Sequence, residues 1–475
     1  MSISGYDDGY FDENNKTNME DALRRFREAK HSGRDEWAPD VHTLENLVQY
    51  CFEAQKFDDA LEFASMWTEQ APYSADPWHR KGMILSSMNH ADEALKAFDR
   101  ALALDPTDTE IMINRGIALD QSGDPDGALA VFNEMLDRDP ENEEALFSKA
   151  VLFERTGEYR EAVKLFRFLT ASEKFSKEAW YELGCCYDGL HEFEKAADAY
   201  EKCIDEEPFN HNAWFNRAVV LSRMGVIETA IDCYDMAVAI KDDFSTAWYN
   251  RGNLCAMIGR HIEAIDSYRN ALKSEPMDVL TWHNLASMYE EQGDYMQAIE
   301  CFTQAIKLNS RHYDSFFGRG ACYDALEKYD HALKDYDRAL EIDSYQSDLW
   351  HAKADILCSM DNYDEALECY RTALKISPEN VECRFDYGVT LYESDMLTEA
   401  VRIFKEVIAQ SPEWSDGHYA IAKVYALKND MGRTIEHLRE ALELEPGKRE
   451  DFDADFPELV SSRKLKVLRE AIEDL

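Results

Sequence analysis

Histidines and neighbouring carboxylates are the residues of this sequence that could support acid–base or metal chemistry. Three of the 13 histidines, His79, His283 and His351, are separated by multiples of 34 residues. Such separations would put them on different helix pairs, too far apart to share a metal ion. Carboxylate pairs such as Glu206-Glu207 and Glu290-Glu291 occur, but 95 acidic residues make such pairs expected from composition alone. We therefore interpret both groups as surface residues.

Known catalytic and cofactor-binding motifs are missing from the sequence. It contains no Gly-rich phosphate loop, no His-Glu-x-x-His metal site and no Gly-x-Ser-x-Gly nucleophile elbow. We expect no catalytic residue, no metal and no cofactor, and we predict that the chain is not an enzyme.

Cysteine usage and the N-terminal residues predict a cytoplasmic protein. The 11 cysteines form no Cys-x-x-Cys pair, and most lie among apolar helical residues, as Cys203, Cys233 and Cys255 do. This pattern fits reduced thiols that pack as small apolar groups. Residues Met1–Asn15 are polar and acidic, unlike a secretory signal.

The charge of the chain limits its partners. A net charge of −44 and a pI near 4.6 repel phosphate backbones and anionic lipid headgroups. No apolar run approaches the roughly 20 residues needed to cross a bilayer. We predict neither nucleic-acid binding nor membrane insertion. The acidic surface has two open interpretations, solubility or attraction of a basic partner.

A 34-residue period organises the whole chain and predicts which elements position these side chains. With the frame set at Val41, twelve repeats follow without insertion to Lys448. One column of the predicted first helices holds a small residue in eleven repeats: Gly82, Gly116, Ala150, Gly184, Ala218, Gly252, Ala286, Gly320, Ala354, Gly388 and Ala422. A column of the second helices holds alanine in eleven repeats, from Ala60 to Ala400.

Each of these columns has a physical reason. Gly or Ala lets two antiparallel helices approach closely. A large aromatic residue of the second helix, such as Phe98 or Tyr200, fills the space between helices. Proline in the turn between repeats, such as Pro106 or Pro208, stops the second helix because the residue before proline avoids helical geometry.

These columns resemble the tetratricopeptide repeat (TPR) family, in a bacterial-type, twelve-repeat form, over residues 41–448. The resemblance implies an all-α fold, an α-solenoid in which antiparallel helix pairs form a right-handed superhelix. We expect a disordered acidic segment over 1–18. A packing helix at Met19–Lys30 and a linker would occupy 19–40. A C-terminal capping helix, Glu458–Asp474, would lie within 449–475. Some 40 and 27 residues outside the repeats are too few for a catalytic domain.

The resemblance also implies a peptide-binding groove lined by the first helices. The residue after the opening aromatic would point into it, and aromatic rings in that column could hold apolar side chains of an extended peptide. Asparagines in the next column could hydrogen-bond its backbone. An alternative is that both columns only stabilise contacts between repeats. The predicted groove residues are Phe147, Tyr181, Phe215, Asn216, Arg223, Tyr249, Asn250, Asn253, Met257, His283, Asn284 and Phe317.

The function that follows is a non-catalytic scaffold or adaptor that binds extended or helical segments of partner proteins, with basic segments favoured. Two alternatives stay open. One is an assembly factor for a larger complex, including a membrane complex, and the other is a structural protein that associates with itself.

Overall fold

The computed structural model describes residues 13–32 and 39–455, and within them every regular element is an α-helix. The fold is an all-α solenoid of consecutive antiparallel helix pairs, as predicted. The chain divides into two compact units, Met1–Ile240 and Lys241–Leu475. The notebook-free helix bounds follow unit by unit, with even-numbered helices as first helices and the odd-numbered helices after α1 as second helices.

Unit 1 contains α1 Glu13–Ser32, α2 Val41–Glu53, α3 Phe57–Gln70, α4 Ala75–Ser87, α5 Ala91–Leu104, α6 Thr109–Gln121, α7 Pro125–Arg138, α8 Glu143–Arg155, α9 Tyr159–Leu169, α10 Ser176–Gly189, α11 Phe193–Glu206, α12 His211–Arg223 and α13 Ile227–Ile240. Unit 2 contains α14 Ser245–Met257, α15 His261–Ser274, α16 Val279–Glu291, α17 Tyr295–Leu308, α18 Tyr313–Ala325, α19 Tyr329–Ile342, α20 Ser347–Ser359, α21 Tyr363–Ile376, α22 Val381–Glu393, α23 Leu397–Gln410, α24 Ser415–Leu427, α25 Met431–Leu444 and α26 Lys448–Asp455.

A residue in the left-handed backbone conformation ends every first helix. In the turn after α6, Gly123 has φ of +85°, and its N–H donates to the carbonyl of Asp120. The next N–H, that of Asp124, donates to the carbonyl of Leu119. Glycine adopts this conformation without steric cost. The equivalent residues are Gln55, Asn89, Gly157, His191, Gly225, Gly259, Gly293, Glu327, Asp361, Asp395 and Asn429, all with positive φ and 34 residues apart.

Glycine in the first helix lets the two helices of a pair approach closely. A Cβ atom built on Gly184 would lie 2.4 Å from Cε1 of Tyr200, whose side chain is almost fully buried. This contact explains why the column holds only small residues.

Tryptophans at the start of first helices hold the preceding turn. In unit 1, the indole N–H of Trp214 donates to the carbonyl of Pro208 at 2.9 Å. In unit 2, Trp282 donates to Pro276 at the same distance. The indole therefore satisfies a carbonyl that the end of the second helix leaves without a partner.

The N-terminal helix α1 begins at Glu13, earlier than the expected start at Met19. Its Phe26 ring packs 4.7 Å from the Phe63 ring of α3. Helix α26 covers part of the segment that we expected to lead into the capping helix. The predicted disorder of residues 1–12 and the predicted helix Glu458–Asp474 lie outside the described residues. Among the described helices, none is long and apolar enough to span a membrane.

Candidate functional site

The aromatic column of the first helices packs on the buried aromatic residue of its own helix pair. In unit 1, the rings of Tyr181 and Tyr200 are 5.9 Å apart, and those of Phe215 and Tyr234 are 5.8 Å apart. Phe147 stacks at 5.0 Å on Phe175. These side chains are half-buried, so each ring contributes to packing within its pair and keeps an exposed edge.

The same arrangement recurs in unit 2. The ring of Tyr249 lies 6.1 Å from that of Tyr268. The ring of Phe317 lies 5.7 Å from that of Tyr336. His283 packs 5.4 Å from Phe302, and burial lowers its pKa. The predicted column therefore serves the packing of each pair as well as its exposed face.

Two of the predicted asparagines bond to the tyrosine of the preceding repeat. In unit 1, the Asn216 amide donates to the Tyr181 hydroxyl at 2.9 Å. In unit 2, the Asn284 amide donates to the Tyr249 hydroxyl at 3.3 Å. These bonds join neighbouring first helices, which is the alternative that the sequence left open. Each amide uses only part of its hydrogen-bonding capacity in this way.

Asn250 and Asn253 lie on the same first helix, α14, but differ in their bonding. Asn253 accepts hydrogen bonds from the Tyr268 hydroxyl at 2.7 Å and from the Asn284 amide at 3.1 Å. The side chain of Asn250 forms no hydrogen bond with any residue that the structure describes, and it is half-buried. Its amide is therefore available to a ligand.

Arg223, predicted to face the groove, forms an ion pair with the Asp188 carboxylate at 2.5 Å. An equivalent pair joins Arg155 and Asp120 on the preceding first helices. In both pairs the arginine follows the aspartate by 35 residues. Met257, one repeat after Arg223 in the sequence, is 63% exposed.

Unit 2 breaks this pattern of neutralised carboxylates. Glu290 and Asp324 occupy the position of Asp188 on α16 and α18, but the residues 35 positions later are Ala325 and Ser359. Within the described part of the chain, neither carboxyl group has an ion pair or a side-chain hydrogen bond. Burial raises the pKa of Glu290 and of Asp324.

A third carboxyl group, that of Asp355 on α20, lies near these two. Burial raises the pKa of the Tyr336 hydroxyl, and the charges of Asp324, Asp355 and Glu290 raise it further. We call Glu290, Asp324 and Asp355 the unit 2 acidic cluster. The sequence analysis treated Glu290 as an ordinary surface residue, whereas the structure places it half-buried in this cluster.

His351 provides one cation beside this cluster. Its Nε2 lies 2.8 Å from the Asp386 carboxylate and 3.7 Å from that of Asp355. Burial lowers the pKa of His351, but the hydrogen bond to Asp386 and the charge of Asp355 more than offset this, so the pKa lies above its ordinary 6.5.

A raised histidine pKa predicts a defined pH dependence of stability. The pair stabilises the fold fully below the ordinary pKa, and this contribution disappears as the pH rises through the raised pKa. We expect the melting temperature to fall from pH 6 towards pH 8 by more in the wild type than in Asp386→Asn. NMR titration of the His351 imidazole should give a lower pKa in that variant. An unchanged imidazole pKa would contradict the assignment.

A second group of titratable side chains lies in unit 1, on α8 and α10. Glu154, Glu182 and Cys185 have their donor atoms within 4.8 Å of one another. The sequence analysis missed this group, although Glu182 stands in the column where neighbouring repeats carry Asn216 and Asn250. A carboxylate in an asparagine column was the available signal.

Comparison with known proteins gives the family. The Tetratricopeptide repeat families match residues 178–210, 199–232, 245–276, 279–312, 313–345 and 358–424. The Cytochrome c-type biogenesis protein H TPR domain matches residues 68–174. Together these ranges cover more than half of the chain. The chain belongs to the tetratricopeptide repeat family. No curated protein matches this TPR chain.

Several solved TPR structures are similar to parts of the chain. YrrB, titled a TPR protein with an unusual peptide-binding site, is 24% identical, with coverage of 38% of this chain and 94% of its own and a TM-score of 0.35. The C-terminal part of a TPR repeat-containing protein from Cytophaga hutchinsonii is 18% identical, with coverage of 50% and 97% and a TM-score of 0.45. The Cut9-Hcn1 hetero-tetramer structure gives 16% identity, coverage of 91% of both chains and a TM-score of 0.40.

Proposed function

We propose that this TPR protein is a non-catalytic scaffold whose first-helix face in unit 2 binds a basic segment of a partner protein. Membership of the TPR family supports a role in protein interaction. The observation that carries the basic preference is the unit 2 acidic cluster, in which Glu290 and Asp324 lack a cation among the described residues.

The electrostatic argument rests on desolvation. Burial raises the pKa of Glu290 and of Asp324 because a carboxylate loses hydration without gaining a partner. A lysine or arginine of a bound segment would supply the missing charge. Charge-assisted hydrogen bonds of this kind are stronger than neutral ones, and the net charge of −44 would steer a basic segment to the surface.

Groups that could hold the rest of such a segment lie on the neighbouring first helix α14. Tyr249 presents the edge of its ring, and the Asn250 amide is available for a peptide group. Met257 at the end of the helix is 63% exposed, and a flexible thioether adapts to different apolar side chains. The face therefore combines a charge preference with contacts that depend little on sequence.

Selection from a displayed random-peptide library tests the proposal. We expect the wild-type protein to enrich Lys- and Arg-containing peptides, with affinities that fall as salt rises. In the double variant Glu290→Gln/Asp324→Asn, the affinity for a selected peptide should fall at least about tenfold, which corresponds to about 1.4 kcal/mol.

The matched control is Asp266→Asn/Glu300→Gln, which removes the same two charges from exposed positions on the second helices α15 and α17. This control should change the affinity by less than about twofold, since exposed charges act weakly at distance. Equal losses in the two double variants would show that only total charge matters and would refute the proposed site.

A second candidate function is assembly of a larger complex. It is supported by the match of residues 68–174 to the TPR domain of a cytochrome c-type biogenesis protein. Deletion of the gene, followed by native-gel analysis of respiratory and haem-containing complexes, tests this candidate. Complexes of unchanged abundance and composition would contradict it.

A further inference from the structure

The side-chain cluster of Glu154, Glu182 and Cys185 in unit 1 has the composition of a metal site. Glu154 lies on α8, and the other two lie one helical turn apart on the next first helix, α10. Their carboxylate oxygens and Sγ are all within 4.8 Å of one another. The Tyr200 hydroxyl donates a hydrogen bond to Sγ of Cys185 at 3.4 Å.

Positive charge is missing from this cluster. Glu182 is only 8% exposed, and its carboxyl group is hydrogen-bonded to that of Glu154. Within the described residues, neither carboxyl group bonds to an N–H group or forms an ion pair. The position 35 residues after Glu154, where α10 could provide an arginine, is Gly189. Two adjacent buried carboxyl groups need a proton or a cation to be stable.

The other group of possible ligands, His351, Asp355 and Asp386, differs in this respect. Its imidazole lies 2.8 Å from Asp386 and already provides a positive group. The Asp355 side chain is 49% exposed, so water stabilises its charge. Only the cluster on α8 and α10 combines deep burial with a missing cation among the groups that the described residues form.

We propose that Glu154, Glu182 and Cys185 bind one Zn²⁺ ion, with a fourth coordination position left for water or a partner's side chain. A thiolate with two carboxylates favours zinc over calcium or magnesium, which take oxygen ligands. Zn–S and Zn–O bonds of about 2.3 and 2.0–2.2 Å place the donor atoms roughly 3–4 Å apart, compatible with their present grouping. The inference is independent of the proposed binding face in unit 2.

Ion binding would change the protonation of the ligands. Without metal, burial raises the pKa of the Cys185 thiol to about 12 and that of Glu182 to about 8, so these groups hold protons. Zinc would replace the thiol proton and the proton shared by the carboxyl groups, and both would be released to solvent. The Tyr200 hydroxyl would keep its hydrogen bond to sulfur and orient the thiolate.

Titration of the full-length, chelator-treated protein with Co²⁺ and Zn²⁺ tests the site. We expect one cobalt ion per chain, with a near-ultraviolet sulfur-to-cobalt charge-transfer band that zinc removes. Cys185→Ser should abolish the band, and Glu182→Gln should weaken zinc binding at least about tenfold. The control Cys301→Ser, at a buried cysteine of unit 2, should retain both signals.

Two results would overturn the proposal. One is the absence of a charge-transfer band in the folded wild-type protein, verified by circular dichroism. The other is a band or a zinc affinity that neither Cys185→Ser nor Glu182→Gln alters. In either case the carboxyl pair holds only a shared proton.

Discussion

Replacing Phe98 by alanine is expected to lower the free energy of unfolding by about 3–5 kcal/mol. Phe98 on α5 is fully buried and lies directly against Gly82 of α4, where an added Cβ would be only 2.5 Å from the ring. The imidazole of His79 packs 6.0 Å from the same ring. Because the helices approach so closely at glycine, neighbouring side chains cannot move in to fill the cavity.

Urea unfolding followed by circular dichroism measures this loss, and hydrogen exchange locates it. Repeat proteins are stabilised by contacts between neighbours, so exchange should accelerate first in α4, α5 and the adjacent helices. Tyr73→Ala is the control, since this aromatic side chain is 85% exposed and its loss should change stability by less than about 0.5 kcal/mol. Similar losses in the two variants would contradict the assigned role of Phe98.

The fold was predictable from sequence because the repeat multiplies weak signals. One pairing of Gly184 with Tyr200 would mean little, but the same spacing recurs along the chain. The turn conformation was less predictable. Five repeats end the first helix with glycine, whereas residues such as His191 and Glu327 adopt positive φ without that signal. Their conformation follows from the helix pair that they connect.

The candidate site was only partly predictable. Sequence identified the aromatic column and the asparagines, but it could not show that Tyr181 and Asn216 bond to each other. The acidic positions were missed because an arginine 35 residues later decides whether a carboxylate is neutralised. Asp188 has Arg223 there, whereas the equivalent residue for Glu290 is alanine. Recognising this required knowing which side chains meet between neighbouring first helices.

Asp335→Ala is the second substitution with a large expected effect, because it leaves a buried arginine without its partner. Both contacts between the Arg319 guanidinium and the Asp335 carboxylate are 2.7 Å long. The two side chains are 17% and 8% exposed. Arg319 also donates to the Thr303 hydroxyl at 3.0 Å, which holds the guanidinium in place. We expect a loss of about 3–5 kcal/mol, since a buried charge without a partner is costly.

The comparison that isolates burial is Asp99→Ala. Its partner Arg115 lies at the same repeat position as Arg319, and their contact is also 2.7 Å long, but the side chains are 30% and 59% exposed. Water screens this pair, so its loss should cost less than about 1 kcal/mol. A double variant, Arg319→Leu/Asp335→Leu, should recover much of the stability that Asp335→Ala loses, because no uncompensated charge remains. Equal urea midpoints for Asp335→Ala and Asp99→Ala would show that the carboxylate of Asp335 does not compensate a buried charge.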